Sequence, residues 1–233
     1  MPRPFSRFLS LLCRPALLAL LLVSVAAPAG AGMPAGDPAN YVIKRDGKPI
    51  GTLKIDFRRD GKTLVAKSHY TIQIKLLAIV LYRYDKHMTE TYEDGQLVAY
   101  ETDIDDNGTK TSVRVTRDGE RLSIVHPKGR LTAPLGLYPS TYWPAATPTL
   151  TRMIDSSDGI LIDVQTTEVA TANLAIDGRT VDAKRYAMTG DLERDIWYAA
   201  ESGEWLKLKM KASDDSTIEI ERDWDPVWKA GLL

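Results

Sequence analysis

Three histidines, His69, His87 and His126, are the side chains best suited to proton transfer or metal ligation. None has a second histidine two or four positions away, so local spacing sets no pair on one strand or helix face. His87 has Asp85 and Glu90 nearby, which are ligands of a suitable type. Strand alternation, however, groups His87 with Arg83, Asp85 and Thr89 on a face expected to be solvated, and no metal site is expected. Nucleophilic catalysis would need an activated Ser or Cys. The chain has no G-x-S-x-G and no S-x-x-K, and its single Cys, Cys13, lies near the N-terminus. Paired carboxylates at Asp105-Asp106 and Asp214-Asp215 fall at expected turns, where Asp serves local hydrogen bonding. No glycine loop of the phosphate-binding type is present. No catalytic residue, metal or cofactor is therefore assigned, although a triad assembled from distant segments would leave no local motif.

Binding is better represented than catalysis. Leu76–Tyr84 is the densest apolar run after the N-terminal segment. It reads either as the wall of an apolar ligand cavity, with Tyr82 and Tyr84 as polar handles on one strand face, or as a strand buried on both faces. Tyr138, Tyr142 and Trp143 lie together in a connecting segment and read either as a lid over a pocket or as a plug that completes the core. Tyr82, Tyr84, Tyr138, Tyr142 and Trp143 are the candidate ligand-binding residues. Lys207, Lys209 and Lys211 form a basic stripe. A five-residue loop, Ala212–Ser216, would set Lys209 opposite Glu219 and Lys207 opposite Glu221, which makes the stripe half of a cross-strand charge ladder. The tail carries Trp224, Trp228, Leu232 and Leu233, expected to fold back over the sheet.

The elements that must position these residues are strands. Asp-Gly or Asn-Gly occurs at residues 46, 60, 94, 107, 118, 158 and 177, and Ser202-Gly203 is a weaker case. Such dipeptides suit tight hairpins. Between them apolar and polar residues alternate: Leu64, Ala66, Ser68, Tyr70, Ile72, Ile74 and Leu76 share one face. A turn at Asp118-Gly119 would pair Val115 with Leu122 and Val113 with Ile124. A turn at Asp60-Gly61 would pair Phe57 with Leu64 and Ile55 with Ala66, and would oppose Lys54 to Lys67. Helix signals are sparse, and Pro139–Ile154 is the best candidate for one or two short helices; Ser140 or Thr147 suits a cap and Pro148 a first turn. The prediction is an all-β, mainly antiparallel fold of about 10–12 strands in one strongly curved sheet, a half-barrel or barrel, with residues 139–154 across an open end.

Length and charge set the frame. Of 233 residues, 1–31 read as a cleaved secretory signal: Arg3, Arg7 and Arg14, an apolar core Ala16–Ala27, then Ala29-Gly30-Ala31. Cys13 precedes the apolar core, so it is not placed for lipidation. Residues 32–233 are expected to form one domain in the periplasm or outside the cell, with no transmembrane segment; an apolar-out β-barrel is disfavoured by irregular strand lengths and the lack of a terminal aromatic. Removing three Arg takes the formal net charge from −1 to −4, which excludes the strongly basic surface of a general nucleic-acid binder.

Several motifs in order suggest a family: Asp46-Gly47-Lys48-Pro49-Ile50-Gly51, Lys75-Leu76-Leu77 with Tyr82-Arg83-Tyr84, Glu93-Asp94-Gly95-Gln96-Leu97, Pro139-Ser140-Thr141-Tyr142-Trp143, and Leu192-Glu193 followed by Asp195-Ile196-Trp197-Tyr198 with Trp205-Leu206-Lys207-Leu208. With these the chain resembles the domain-of-unknown-function family numbered 6134, of bacterial exported proteins. More distantly it is similar to the half-barrels that include the lipoprotein localisation factors, which implies an antiparallel sheet around an apolar groove. The resemblance carries no activity and no catalytic residues. The function expected is non-catalytic binding of a lipid, another apolar small molecule or an envelope component in the concave face. The alternatives are a structural or interaction protein of the envelope, with a filled core and an envelope protein as partner, and an enzyme with a non-local site.

Overall fold

The computed structural model describes residues 38–225 apart from Ala78. The expected signal segment, Trp228, Leu232 and Leu233 lie outside the described residues. The first half of the chain is a run of hairpins: β1 (Ala39–Arg45), β2 (Lys48–Asp60), β3 (Thr63–Leu76), β4 (Ile79–Glu93), β5 (Gln96–Asp106), β6 (Thr109–Asp118), β7 (Arg121–His126) and β8 (Gly129–Pro134). After a crossing segment come β9 (Arg152–Ile154), β10 (Leu161–Ile176), β11 (Arg179–Gly190), β12 (Arg194–Ala199), β13 (Trp205–Lys211) and β14 (Thr217–Asp223). All belong to one 14-stranded sheet in the order β8 to β1, then β14 to β9. β1 and β14 thus pair in the middle, and the two edges come from the middle of the chain. Among the described residues the sheet is not closed by strand pairing, and its edges are kept short by a three-residue β9 and a β8 that ends on Pro134.

A single apolar cluster draws side chains from every strand, among them Ile43, Leu53, Ile55, Leu64, Met88, Tyr100, Val113, Ile124, Met153, Ile196, Trp205 and Ile220. One face of one sheet can share a common core only if the sheet curls around it. Register shifts after Ile43, Ile74, Thr91, Glu168 and Trp197 mark irregularities of the bulge type, which increase strand twist. The crossing segment lies over the concave side. Its only helix is a 3-10 turn at Thr147–Thr149, with Pro148 in the first turn and no side-chain cap. Strand β9 takes the last three residues of the stretch in which helices are expected, and the strands number 14 among the described residues.

Turn chemistry explains the register. Asp46-Gly47, Asp94-Gly95, Asn107-Gly108 and Asp177-Gly178 each have positive φ at both positions, the type I′ pattern of two-residue hairpins. Residues 60 and 118 behave differently. The loops there are Gly61-Lys62 and Gly119-Glu120, with positive φ at the glycine alone, the type II′ pattern. Each hairpin is therefore shifted by two residues from the expected register: Phe57 faces Ala66, Ile55 faces Ser68 and Val115 faces Ile124. A two-residue shift keeps every side chain on its face, so the core pattern survives. It also places Asp56, not Lys54, across from Lys67. The β13–β14 ladder has the expected register, with Lys209 opposite Glu219 and Lys207 opposite Glu221. Lys207 Nζ lies 2.7 Å from both Glu219 and Glu221, and Lys44 of β1 also pairs with Glu221. Trp224 folds back between Arg179 and Arg222, whose guanidinium groups lie 4.9 and 5.6 Å from its ring centre.

Candidate functional site

Strand β4 organises three features. Its inward side chains Lys86, Met88, Glu90 and Tyr92 are buried, and its outward side chains Arg83, Asp85, His87 and Thr89 are exposed or half-buried. Its N-terminal end forms, with β3, the tip of the longest hairpin.

Glu90 fixes the crossing segment. Its Oε1 accepts from Trp143 Nε1 at 2.9 Å, and its Oε2 accepts from Thr141 Oγ1 at 3.3 Å and from the Tyr92 hydroxyl. Burial raises the Glu90 carboxyl to about 7, against the lowering effect of these donors and of Lys86. Four residues earlier, Lys86 Nζ donates to Ser156 Oγ at 2.8 Å and Ser157 Oγ at 3.0 Å. Burial lowers Lys86 to about 8, opposed by the charges of Asp155, Glu90 and Asp158. Tyr138 adds a hydrogen bond to the Gly95 carbonyl at 2.5 Å, and Tyr100 one to the Asp155 carbonyl at 3.3 Å. Glu90 and Lys86 therefore clamp the two ends of one segment against β4. Every oxygen of Glu90 is occupied by a donor from the fold itself, which is the signature of an anchor.

Of the expected ligand-binding residues, Tyr142 and Trp143 are in the core. Trp143 packs edge-on against Phe57 and Tyr92, at ring-centre distances of 5.1 and 5.5 Å. Tyr142 is held with φ +61, a conformation rare for a non-glycine residue. Its hydroxyl accepts from Arg194 Nε at 2.5 Å and its carbonyl from the Tyr198 hydroxyl at 2.7 Å. Tyr138 is half-buried and stacks on Tyr92 at 5.6 Å. Tyr82 and Tyr84 are not in that group: burial and a hydrogen bond to Asp106 raise the Tyr82 hydroxyl, and Tyr84 hydrogen-bonds Ser157. Two clefts, of about 400 Å³ beside Arg194, Lys209 and Met210 and about 480 Å³ beside Asp56, Phe57 and Lys67, are lined by none of these five residues.

The run at residues 76–84 is not buried on both faces. Leu77, Ile79, Val80 and Leu81 are 94%, 64%, 46% and 55% exposed at the tip of the β3–β4 hairpin. Leu77 has φ +57. That conformation is strained for a branched residue and places an apolar side chain where Gly or Asn is usual. Lys75 and Arg83 are exposed on either side of the tip, and the half-buried Tyr82 and Tyr84 follow. Sequence reasoning missed the exposure because an apolar run normally signals a core.

The structure also brings together residues that local spacing separates. His69 of β3 lies directly opposite His87 of β4, with Asp85 beside both. Glu90, the other acid near His87 in sequence, points to the opposite face.

Residues 41–223 match the model of a family described as Domain of unknown function (DUF6134), and the chain belongs to that family. No curated protein matches the sequence. A solved structure described as a beta-barrel-like protein of Domain of Unknown Function DUF1849 from Brucella abortus is similar, with a TM-score of 0.52 and 9% identity. The likeness covers 79% of this chain and 93% of that one, and at this identity it concerns the fold alone. Among the described residues no helix is long and apolar enough to cross a membrane.

Proposed function

We propose that this member of the family is an exported, non-catalytic envelope protein that binds a lipid surface through the tip of the β3–β4 hairpin. One observation carries the reading: four large apolar side chains, Leu77, Ile79, Val80 and Leu81, stand in solvent at one projecting tip. Burying each fully would contribute roughly 1.5–3 kcal/mol, or about 4–8 kcal/mol for the exposed fractions together. That supports peripheral, reversible attachment, comparable to a single acyl chain. Lys75 and Arg83 flank the tip at the level of lipid headgroups, each contributing about 1 kcal/mol near an anionic surface. Tyr82, less buried than Tyr84, fits the interfacial position favoured by amphipathic rings. The signal-type segment at residues 1–31 supports an exported location, after cleavage near Ala31. The tip is preferred to the concave face because Tyr142 and Trp143 already pack there.

The test is co-sedimentation of residues 32–233 with vesicles of phosphatidylethanolamine and phosphatidylglycerol. Binding is expected, weakened by salt and lost in the Leu77→Asp/Ile79→Asp variant, with Lys75→Glu/Arg83→Glu intermediate. No sedimentation of the wild type, or equal sedimentation of the tip variant, overturns the proposal. If crosslinking at the tip then captures an envelope protein, the apolar contact belongs to a protein partner instead.

A further inference from the structure

The outer face of the same hairpin carries a second constellation, independent of its tip. The rings of His69 and His87 stack with centres 4.1 Å apart and planes inclined by 15°. Asp85 reaches both: its Oδ2 lies 3.2 Å from His69 Nε2 and its Oδ1 2.9 Å from His87 Nε2. The three side chains offer ligand atoms that all lie within 4.8 Å of one another. We propose that His69, Asp85 and His87 form a binding site for a divalent transition-metal cation, Zn²⁺ foremost, on the outer face of β3 and β4.

The separations between the ligand atoms are near what such an ion needs. Zn–N and Zn–O bonds of about 2.0–2.1 Å in a tetrahedral shell put neighbouring ligand atoms about 3.3 Å apart. The two Asp–His separations already approach that spacing, and to hold the ion the rings would turn out of their parallel stack so that both Nε2 lone pairs converge on it. Two imidazoles and one carboxylate favour a borderline cation over Ca²⁺ or Mg²⁺, which prefer all-oxygen shells. The rings are 46% and 64% exposed in their side chains, which leaves at least one coordination position to water. Three protein ligands with an open position suit an exchangeable site, not a closed structural one. The Thr71 hydroxyl lies 3.1 Å from His69 Nε2 and is free to rotate toward a bound water.

Neighbouring charges leave the site accessible. Lys54, opposite His69 on β2, pairs with Asp56 at 2.8 Å. Asp103, opposite His87 on β5, is engaged by Arg114 at 3.0 Å. His69 precedes Leu77 by eight residues, roughly 26 Å along an extended strand, so the metal site stands clear of the proposed lipid contact.

The experiment is calorimetric titration of tag-free residues 32–233 with zinc chloride, with calcium chloride as the comparison cation. One equivalent of Zn²⁺ is expected to bind with a Kd on the order of 1–10 µM, with no Ca²⁺ heat. His69→Ala, His87→Ala and Asp85→Asn should each weaken binding tenfold or more. These positions lie on the outer face, and circular dichroism verifies that the variants fold. In a ¹⁵N-imidazole spectrum, Zn²⁺ should shift the Nε2 resonances of His69 and His87 but not those of His126. No binding up to 1 mM Zn²⁺, or unchanged affinity in both His variants, refutes the site. The Leu77→Asp/Ile79→Asp protein should bind Zn²⁺ like the wild type, so failure of the lipid reading and failure of the metal reading are separable.

Discussion

Replacing Glu90 by Gln should make the protein more stable at neutral pH. The buried carboxyl has a folded-state pKa of about 7, raised by burial from an ordinary 4.5. Between those two values the folded protein holds a proton that the unfolded chain releases, so stability falls as pH rises through the window. Each pH step of one across that window corresponds to about 1.4 kcal/mol, so its whole width contributes about 3 kcal/mol. Gln has nearly the same shape and no charge, and its amide can meet Trp143, Tyr92 and Thr141 with hydroxyl rotations. The variant should match the wild type near pH 4.5 and exceed it by about 3 kcal/mol at pH 8, less whatever the Lys86 ammonium loses when its neighbouring charge disappears. Urea unfolding at several pH values, followed by Trp fluorescence, measures the difference directly. Because other carboxylates titrate in the same range, the pH dependence of the difference between the two proteins is the readout. A constant offset, or a variant less stable at pH 8, would refute the assignment of Glu90 as a buried anchor held against its own desolvation.

Other outcomes follow from the same clamp and from the sheet centre. Trp143→Ala should cost about 3–5 kcal/mol in denaturant unfolding, because it empties a buried aromatic site and leaves Glu90 without its indole donor. Lys86→Met should remove a rise in stability expected between pH 8 and 10.5, where the folded wild type loses its buried ammonium proton before the unfolded chain does. Glu221→Gln should cost about 1 kcal/mol at pH 7, measured by the denaturation midpoint. Hydrogen bonds and charge from Lys207 and Lys44 outweigh burial and hold the Glu221 carboxyl below its ordinary value. Its contribution is therefore present above pH 4.5, and the variant should match the wild type once acid protonates the native Glu221.

What could be read from the sequence depended on whether the turns were marked. Asp46-Gly47, Asp94-Gly95, Asn107-Gly108 and Asp177-Gly178 announce their hairpins, and the Lys207/Lys209 ladder follows from loop length alone. At Gly61 and Gly119 the sequence allows either Asp-Gly or Gly-X as the central pair. Only the cross-strand partners decide, and Asp56 opposite Lys67 is better than Lys54 there. The β3–β4 turn carries no glycine at all. Its position, and with it the meeting of His69 with His87 across 18 residues, left no local signal. The aromatic residues of the crossing segment were visible as a group. Their anchor was not, because Glu90 lies about 50 residues earlier and reads as an ordinary strand carboxylate.

The pairing of β1 with β14 has a consequence for the order of assembly. Each meander, β1 to β8 and β9 to β14, forms from neighbours in sequence, whereas the central seam joins Asn40 to Asp223. Loop-closure entropy makes such a contact slow to form compared with hairpins. During synthesis β1 is made long before its second partner, so one of its edges stays unpaired until the last strand arrives. Lys44 meets Glu221 across this seam, while Asp46 exchanges a backbone and a side-chain hydrogen bond with Thr217, at 2.8 and 2.9 Å. The charge on the waiting edge discourages pairing with another chain. By topology the seam is the last contact expected to form, and a chain truncated before β14 would leave the edge of β1 open.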